Sequence, residues 1–263
     1  MIENSNSFYP LYLNLLKKVL TDTLWNHEPS RESDGLEFVK SFADHYIRGH
    51  AVSLLPLVRF DNLQHCMTEV VSNGIEGDFI ETGVWRGGAV IFMQAFLKSL
   101  GLQQSRRVWV ADSFEGLPVP DKTEHPIEYR AHQNLIEPLY DKFEASLEEV
   151  QANFARFDLL DPNVIFLKGW FKDSLPAAPI GKLAIVRLDG DYYESTMDGL
   201  NNLYDRLSVG GFMIVDDYGE DTWTECRRAT DEFRASRNIR DELIMVDSSC
   251  GYWKKAPINQ PAG

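Results

Sequence analysis

Apolar residues along this chain fall into two rhythms. Short apolar runs with little alternation, as expected of strands covered on both faces, occur at Asp78–Glu81, Arg107–Asp112, Asn163–Lys168, Leu183–Asp189 and Phe212–Asp217. Between and before them, apolar positions three and four apart predict helices over Leu11–Leu20, Phe60–Ser72, the stretch from Gly88 to about Leu100, Asp141–Phe157, Ser195–Leu207 and Trp223–Ser236. Asn73-Gly74 and Gly101 supply helix stops, and Ser195 with Asp198 reads as a capping-box-like start. Gly210-Gly211 precede the fifth strand, and Pro118–Pro138 reads as a loop carrying His125, Tyr129 and His132. Two short runs, Glu242–Val246 and Gly251–Lys254, suit a terminal hairpin. Strands alternating with helices predict an α/β fold with a mostly parallel sheet and helices on both faces.

Composition narrows the function classes. With 263 residues, 44% of them apolar, the chain can bury one sizeable core. Lys and Arg number 26 against 40 Asp and Glu, so the formal charge is −14. That argues against a nucleic-acid or anionic-membrane surface, both of which need clustered cations. Cys66, Cys226 and Cys250 are odd in number and far apart, which suits free thiols in a reducing cytoplasm. Met1–Pro10 has no basic and apolar leader, and no run approaches the ~20 apolar residues that span a bilayer.

Candidate chemistry begins where the first strand runs into Gly83, Gly87 and Gly88. The spacing G-x-x-x-G-G is neither the dinucleotide fingerprint nor a phosphate-cradling loop, so the turn alone suits a structural role as well as a cofactor site. More telling are acids at the strand ends: Glu81, Asp112, Asp189, Asp216 and Asp217. Parallel strands deliver their carboxyl ends to one rim, where these acids would repel each other unless something positive or hydrogen-donating sat among them. An acid ending the second strand suits ribose hydroxyls. Asp189, Asp216 and Asp217 are hard oxygen donors suited to Mg²⁺, with helix capping as the alternative. Asp191 follows Gly190 and can face the same space as a proton acceptor, a further ligand or a turn acid. His125 and His132 are candidates for substrate contact or an alternative base.

Taken together, Glu81–Gly88, Trp109–Gly116, Gly169–Asp173, Arg187–Asp191 and Val215–Tyr218 resemble the macrocin O-methyltransferase family, whose members methylate sugar hydroxyls of antibiotic glycosides. The likeness runs from about Leu11 to Lys254. It implies the class I methyltransferase fold with a Rossmann-like seven-stranded sheet and an N-terminal helical extension. Residues 1–58 would then be a lid and dimer segment, and 59–263 the catalytic domain of a cytoplasmic homodimer in antibiotic or other secondary metabolism. Cofactors would be S-adenosylmethionine and Mg²⁺. By the same resemblance Glu81, Thr82 and Gly83 lie by the methionine part, Asp112 at the ribose, Ser113 near the adenosine, and Trp170 and Phe171 beside the adenine. Asp189, Asp216 and Asp217 hold the metal, and Asp191 is the base. The chain departs from the family pattern at residues 22–50, at Ser53–Arg59 and after Tyr218, where the acceptor is read. A catechol-like acceptor is the alternative within methyl transfer, and a nicotinamide-dependent oxidoreductase the alternative outside it.

Overall fold

In the computed structural model, residues 9–26, 49–137, 143–219 and 224–257 are described. Seven strands form one sheet in the order β3-β2-β1-β4-β5-β7-β6. They are β1 (Asp78–Thr82), β2 (Val108–Asp112), β3 (Val164–Lys168), β4 (Leu183–Leu188), β5 (Leu207–Val215), β6 (Ile244–Met245) and β7 (Gly251–Lys254). The first five run parallel, while β7 is antiparallel to both β5 and β6. The expected terminal hairpin is therefore what closes the sheet.

Alternate residues of each strand feed two cores. Phe79, Val108, Val110, Ile185, Phe212 and Ile214 pack on one face against α1 (Tyr9–Leu20), α2 (Leu57–Ser72), α3 (Gly88–Ser99) and α5 (Leu147–Arg156). Ile80, Trp109, Ala111, Val186, Met213 and Val215 pack on the other against α6 (Phe171–Ala177), α7 (Tyr193–Leu203) and α8 (Thr224–Ser236). Burial on both faces is why the strands read as apolar runs. Leu13, Leu16 and Leu20 of α1 join the same core as Phe60 and Phe92. Of the expected lid and dimer segment, residues 1–58, residues 1–8 and 27–48 lie outside the described residues. Among the described residues no helix is long and apolar enough to cross a membrane.

Four local expectations change. The stretch read as a loop contains α4 (Pro126–Ala131), which continues into a π-helical turn at His132–Ile136. Among the described side chains its buried positions are polar, namely His125 at the N-cap, Glu128 and His132, so hydrophobic periodicity did not reveal it. The short α6 also goes unmarked, with Pro176 inside it. Helix α7 starts at Tyr193, so Ser195 lies in its first turn rather than capping it. The N–H of Tyr193 instead donates to Glu128 Oε1 at 2.6 Å, a cap supplied by another element. Finally, α7 ends at Leu203, and β5 begins at Leu207 with Gly210-Gly211 inside it. Gly210 has φ +85°, and the β4–β5 register shifts there. This bulge re-aims the strand toward its acid-bearing end.

Candidate active site

The chain leaves β1 for β2 and β3, then returns to β4 on the other side of β1. That reversal opens a crevice at the carboxyl ends of β1 and β4, the place where open α/β sheets bind ligands. Gly83 turns the chain there at φ +81°, and a Cβ on it would sit 1.8 Å from the Asp189 carbonyl oxygen. Only glycine lets the two strand ends approach so closely.

Register then places the acids. Glu81 pairs with Arg187 and Leu188 with Val215, so Asp189 and Asp216 emerge side by side just beyond the ladders. The N–H of Asp189 donates to Thr82 O and that of Asp216 to Leu188 O, each at 2.9 Å. One carboxylate oxygen from each of Asp189, Asp216 and Asp217 lies within 4.8 Å of the others. Asp217 Oδ2, Glu81 Oε2 and Thr82 Oγ1 are buried without a hydrogen-bond partner. Asp191 stands two residues beyond Asp189, with φ +62° in the left-handed region.

The positive groups required among these acids are two buried arginines. Arg187, within β4 and 1% exposed, donates to Glu81 and Asp216, and to Asp189 Oδ2 at 2.7 Å. Arg59 of α2 donates to Asp216 and Ser249, and its Nε donates to Asp247 Oδ2 at 2.7 Å. A cation inside an apolar strand is itself a signal that a buried partner exists, because Arg is rarely buried alone. Arg59 carried a weaker signal, standing on the apolar face of α2 beside Phe60 and Leu63. Nothing in the sequence marked Asp247.

Burial and mutual repulsion dominate the electrostatics. Burial pushes the Asp217 carboxyl well above the usual range, and the charges of Asp191, Asp189 and Asp216 add to it. Asp191 is raised for the same reasons, by burial first and then by Asp189, Asp216 and Glu128. Burial likewise lifts Asp189 to about 6 and Glu81 to about 8, against the pull of Arg187. Asp216 alone is held below the ordinary carboxylate value, because Arg187 and Arg59 together outweigh its burial. Six carboxylates, Asp247 included, set against two guanidiniums leave about four negative charges uncompensated if all ionise. Such a rim has the charge deficit of a cation-binding site.

On the β2 side, Asp112 accepts from the N–H groups of Val84 and Phe114, both at 2.7 Å, and so ties the glycine turn to the second strand. Ser113 donates to Gly116 O at 2.9 Å and accepts from the N–H of Glu115, shaping its own turn. Trp170 is half-exposed at the start of α6. Phe171 faces Gly190, lying 3.3 Å from where a Cβ would be. Neither candidate histidine is a loop residue in solvent. His125 is stacked on Tyr193 with centroids 5.1 Å apart, and His132 lies 2.7 Å from the Tyr192 hydroxyl.

Comparison with known proteins adds four findings. A family model described as macrocin-O-methyltransferase (TylF) matches residues 47–255. The tetracenomycin-derivative 4'-O-methyltransferase of Streptomyces olivaceus, which acts on a dimethoxyrhamnosyl compound by its name, is 45% identical over 93% of this chain and 92% of its own. The demethyldecarbamoylnovobiocin O-methyltransferase of Streptomyces niveus is 42% identical over 96% of both chains. Among solved structures, the O-methyltransferase NovP superposes with a TM-score of 0.81 at 40% identity, covering 95% of this chain and 100% of that one.

Proposed function

This chain belongs to the macrocin-O-methyltransferase family and is an O-methyltransferase; from that premise we propose that it methylates a sugar hydroxyl of a natural-product glycoside, using S-adenosylmethionine and Mg²⁺. The observation that carries the metal part is the convergence of Asp189, Asp216 and Asp217 beside the partnerless Asp217 Oδ2. Three hard oxygen donors in an electronegative pocket suit a small divalent cation that keeps open positions for other oxygens. Bound there, Mg²⁺ would supply Lewis acidity, lowering the pKa of an alcohol oxygen next to it.

The remaining work falls to the chain's own groups. Arg187 and Arg59 orient the carboxylates from behind, so the donors are set before any ligand arrives. The glycine turn at Gly83 brings backbone close to the donor molecule, with Glu81 and Thr82 presenting free oxygens toward its cationic amino-acid end. Asp112, braced by two backbone N–H groups, keeps lone pairs for the ribose hydroxyls, while Ser113, Trp170 and Phe171 border the nucleoside. Asp191 takes the proton of the acceptor hydroxyl. S-adenosylmethionine held by these residues would supply the methyl group for that oxygen, the products being a methyl ether and S-adenosylhomocysteine. Burial and the neighbouring acids raise the proton affinity of the Asp191 carboxyl, which strengthens it as a proton acceptor.

The names of the relatives favour a glycoside acceptor over a catechol. The expected homodimer forms part of the same reading, and light scattering on the purified chain tests it. For the chemistry, the chain is assayed with labelled S-adenosylmethionine against rhamnosylated glycosides and demethyldecarbamoylnovobiocin. Turnover should vanish in excess EDTA and return with Mg²⁺, and S-adenosylhomocysteine but not NAD(P) should raise the melting temperature. Full activity in EDTA would remove the metal from this reading.

A further inference from the structure

Asp191 sits in the left-handed region at φ +62°, which aspartate tolerates more readily than most non-glycine residues but which its surroundings must still insist on. What insists lies in the two residues after it and in α4. The N–H of Tyr192 donates to Gly190 O at 2.7 Å, closing a tight turn around Asp191. The Tyr192 ring is buried, and its hydroxyl shares a hydrogen bond with His132 Nδ1 at 2.7 Å, itself buried. Tyr193 follows, its N–H on Glu128 Oε1 and its ring stacked on His125. His125, Glu128 and His132 are spaced three and four apart, so they share one face of α4 and its π-helical extension. That face therefore grips Tyr192 and Tyr193, one residue downstream of Asp191.

The composition of this contact is informative. An apolar face would hold α4 without the desolvation penalty that buried polar groups carry. Glu128 bears that penalty visibly, since burial lifts its carboxyl to about 7. Behind it, His125 Nδ1 lies 3.8 Å from Glu128 and 3.7 Å from Glu225, and Arg228 holds Glu225 at 2.8 Å. Directional contacts cost stability relative to grease, but they set a position to within a fraction of an ångström. The π-helical turn agrees with that, because such insertions cluster where a side chain must be re-aimed.

We propose that His132 and Tyr192 are positioning residues: their hydrogen bond, with the Glu128 cap beside it, clamps the turn that aims Asp191 at the acceptor hydroxyl. This rests on reading Asp191 as the proton acceptor, and the test separates the two. The full-length chain is made as Tyr192→Phe, which deletes one oxygen, as His132→Leu, and as His132→Asn, whose amide stands near the Nδ1 position. Hydrogen exchange in the ligand-free protein needs no acceptor. Amides of residues 190–194 should exchange about tenfold faster in Y192F and H132L, the size of one lost buried hydrogen bond, while β1 and β2 stay as in the parent. H132N should restore most of the protection.

With a glycoside that the parent methylates, kcat should fall roughly 10- to 100-fold, with KM and S-adenosylhomocysteine affinity within about twofold. The double variant Y192F/H132L should be little worse than either single one, because both remove the same bond. Unchanged exchange at 190–194, faster exchange with unchanged kcat, or strictly additive effects would each overturn the clamp. Asp191→Asn isolates the underlying reading: near-parental turnover in D191N sinks Asp191 as base, whatever the exchange data say.

Discussion

Removing the Arg187 guanidinium tests directly how the acid rim is held together. The side chain is buried and donates to Glu81, Asp189 and Asp216. Arg187→Met keeps comparable volume and leaves those carboxylates without their shared cation. Removing one partner from a buried ion pair costs about 3–5 kcal/mol. For a chain of this length each kcal/mol lowers the melting temperature by about 2–4 °C, so a drop of roughly 10 °C is expected. Protonation relieves part of the loss, because Glu81 is already pushed up to about 8 by burial. Asp216 offers no such relief near pH 7, since Arg187 and Arg59 are what hold it low against burial. A carboxyl held low in the folded state stabilises above its unfolded pKa and loses that contribution as pH falls. The gap between parent and R187M should therefore persist from neutrality down to about pH 4 and narrow below it. Arg187→Lys keeps the charge but loses the two-pronged fork, and should fall between. Thermal melts in EDTA from about pH 2 to 8 read all three proteins. An R187M melt within about 2 °C of the parent at pH 7, or a gap that widens on acidification, would refute the reasoning.

Three further outcomes follow from the same geometry. Gly83→Ala should abolish soluble protein or lower its melting temperature far more than Gly101→Ala, because both have positive φ but only Gly83 faces a backbone oxygen at 1.8 Å, and expression with thermal melts compares them. Asp217→Asn removes a buried carboxyl crowded by like charges, so calorimetry should show it more stable than the parent in EDTA and without the parent's gain on adding Mg²⁺. Partial burial raises the Asp247 carboxyl, yet hydrogen bonds and charge from Arg59 with the N–H groups of Ser249 and Cys250 hold it at about 2. Its contribution is thus present above the unfolded value of about 3.9 and lost as pH falls toward about 2. Asp247→Asn should melt lower than the parent at pH 6 and converge with it near pH 2.

What the chain alone determined was everything that periodicity and strand direction encode. Five apolar runs alternating with amphipathic helices dictate a parallel sheet covered on both faces. Parallel strands end on one rim, so acids at the ends of Glu81-, Asp112-, Asp189- and Asp216-bearing segments had to gather there. The likeness to methyltransferases was legible for the same reason, since its motifs are local strings at those ends. Tertiary structure decided the long-range partnerships. Arg59 reaches Asp216 and Asp247 across 157 and 188 residues, and Glu128 caps α7 from 65 residues away. No local pattern encodes such pairs, because a hydrogen bond depends on where two elements pack and not on their spacing along the chain. The π-extended helix α4 escaped notice on the same physical ground: its buried residues among those described, His125, Glu128 and His132, are polar, and partners on distant elements such as Tyr193 and Glu225 offset the cost of burying them.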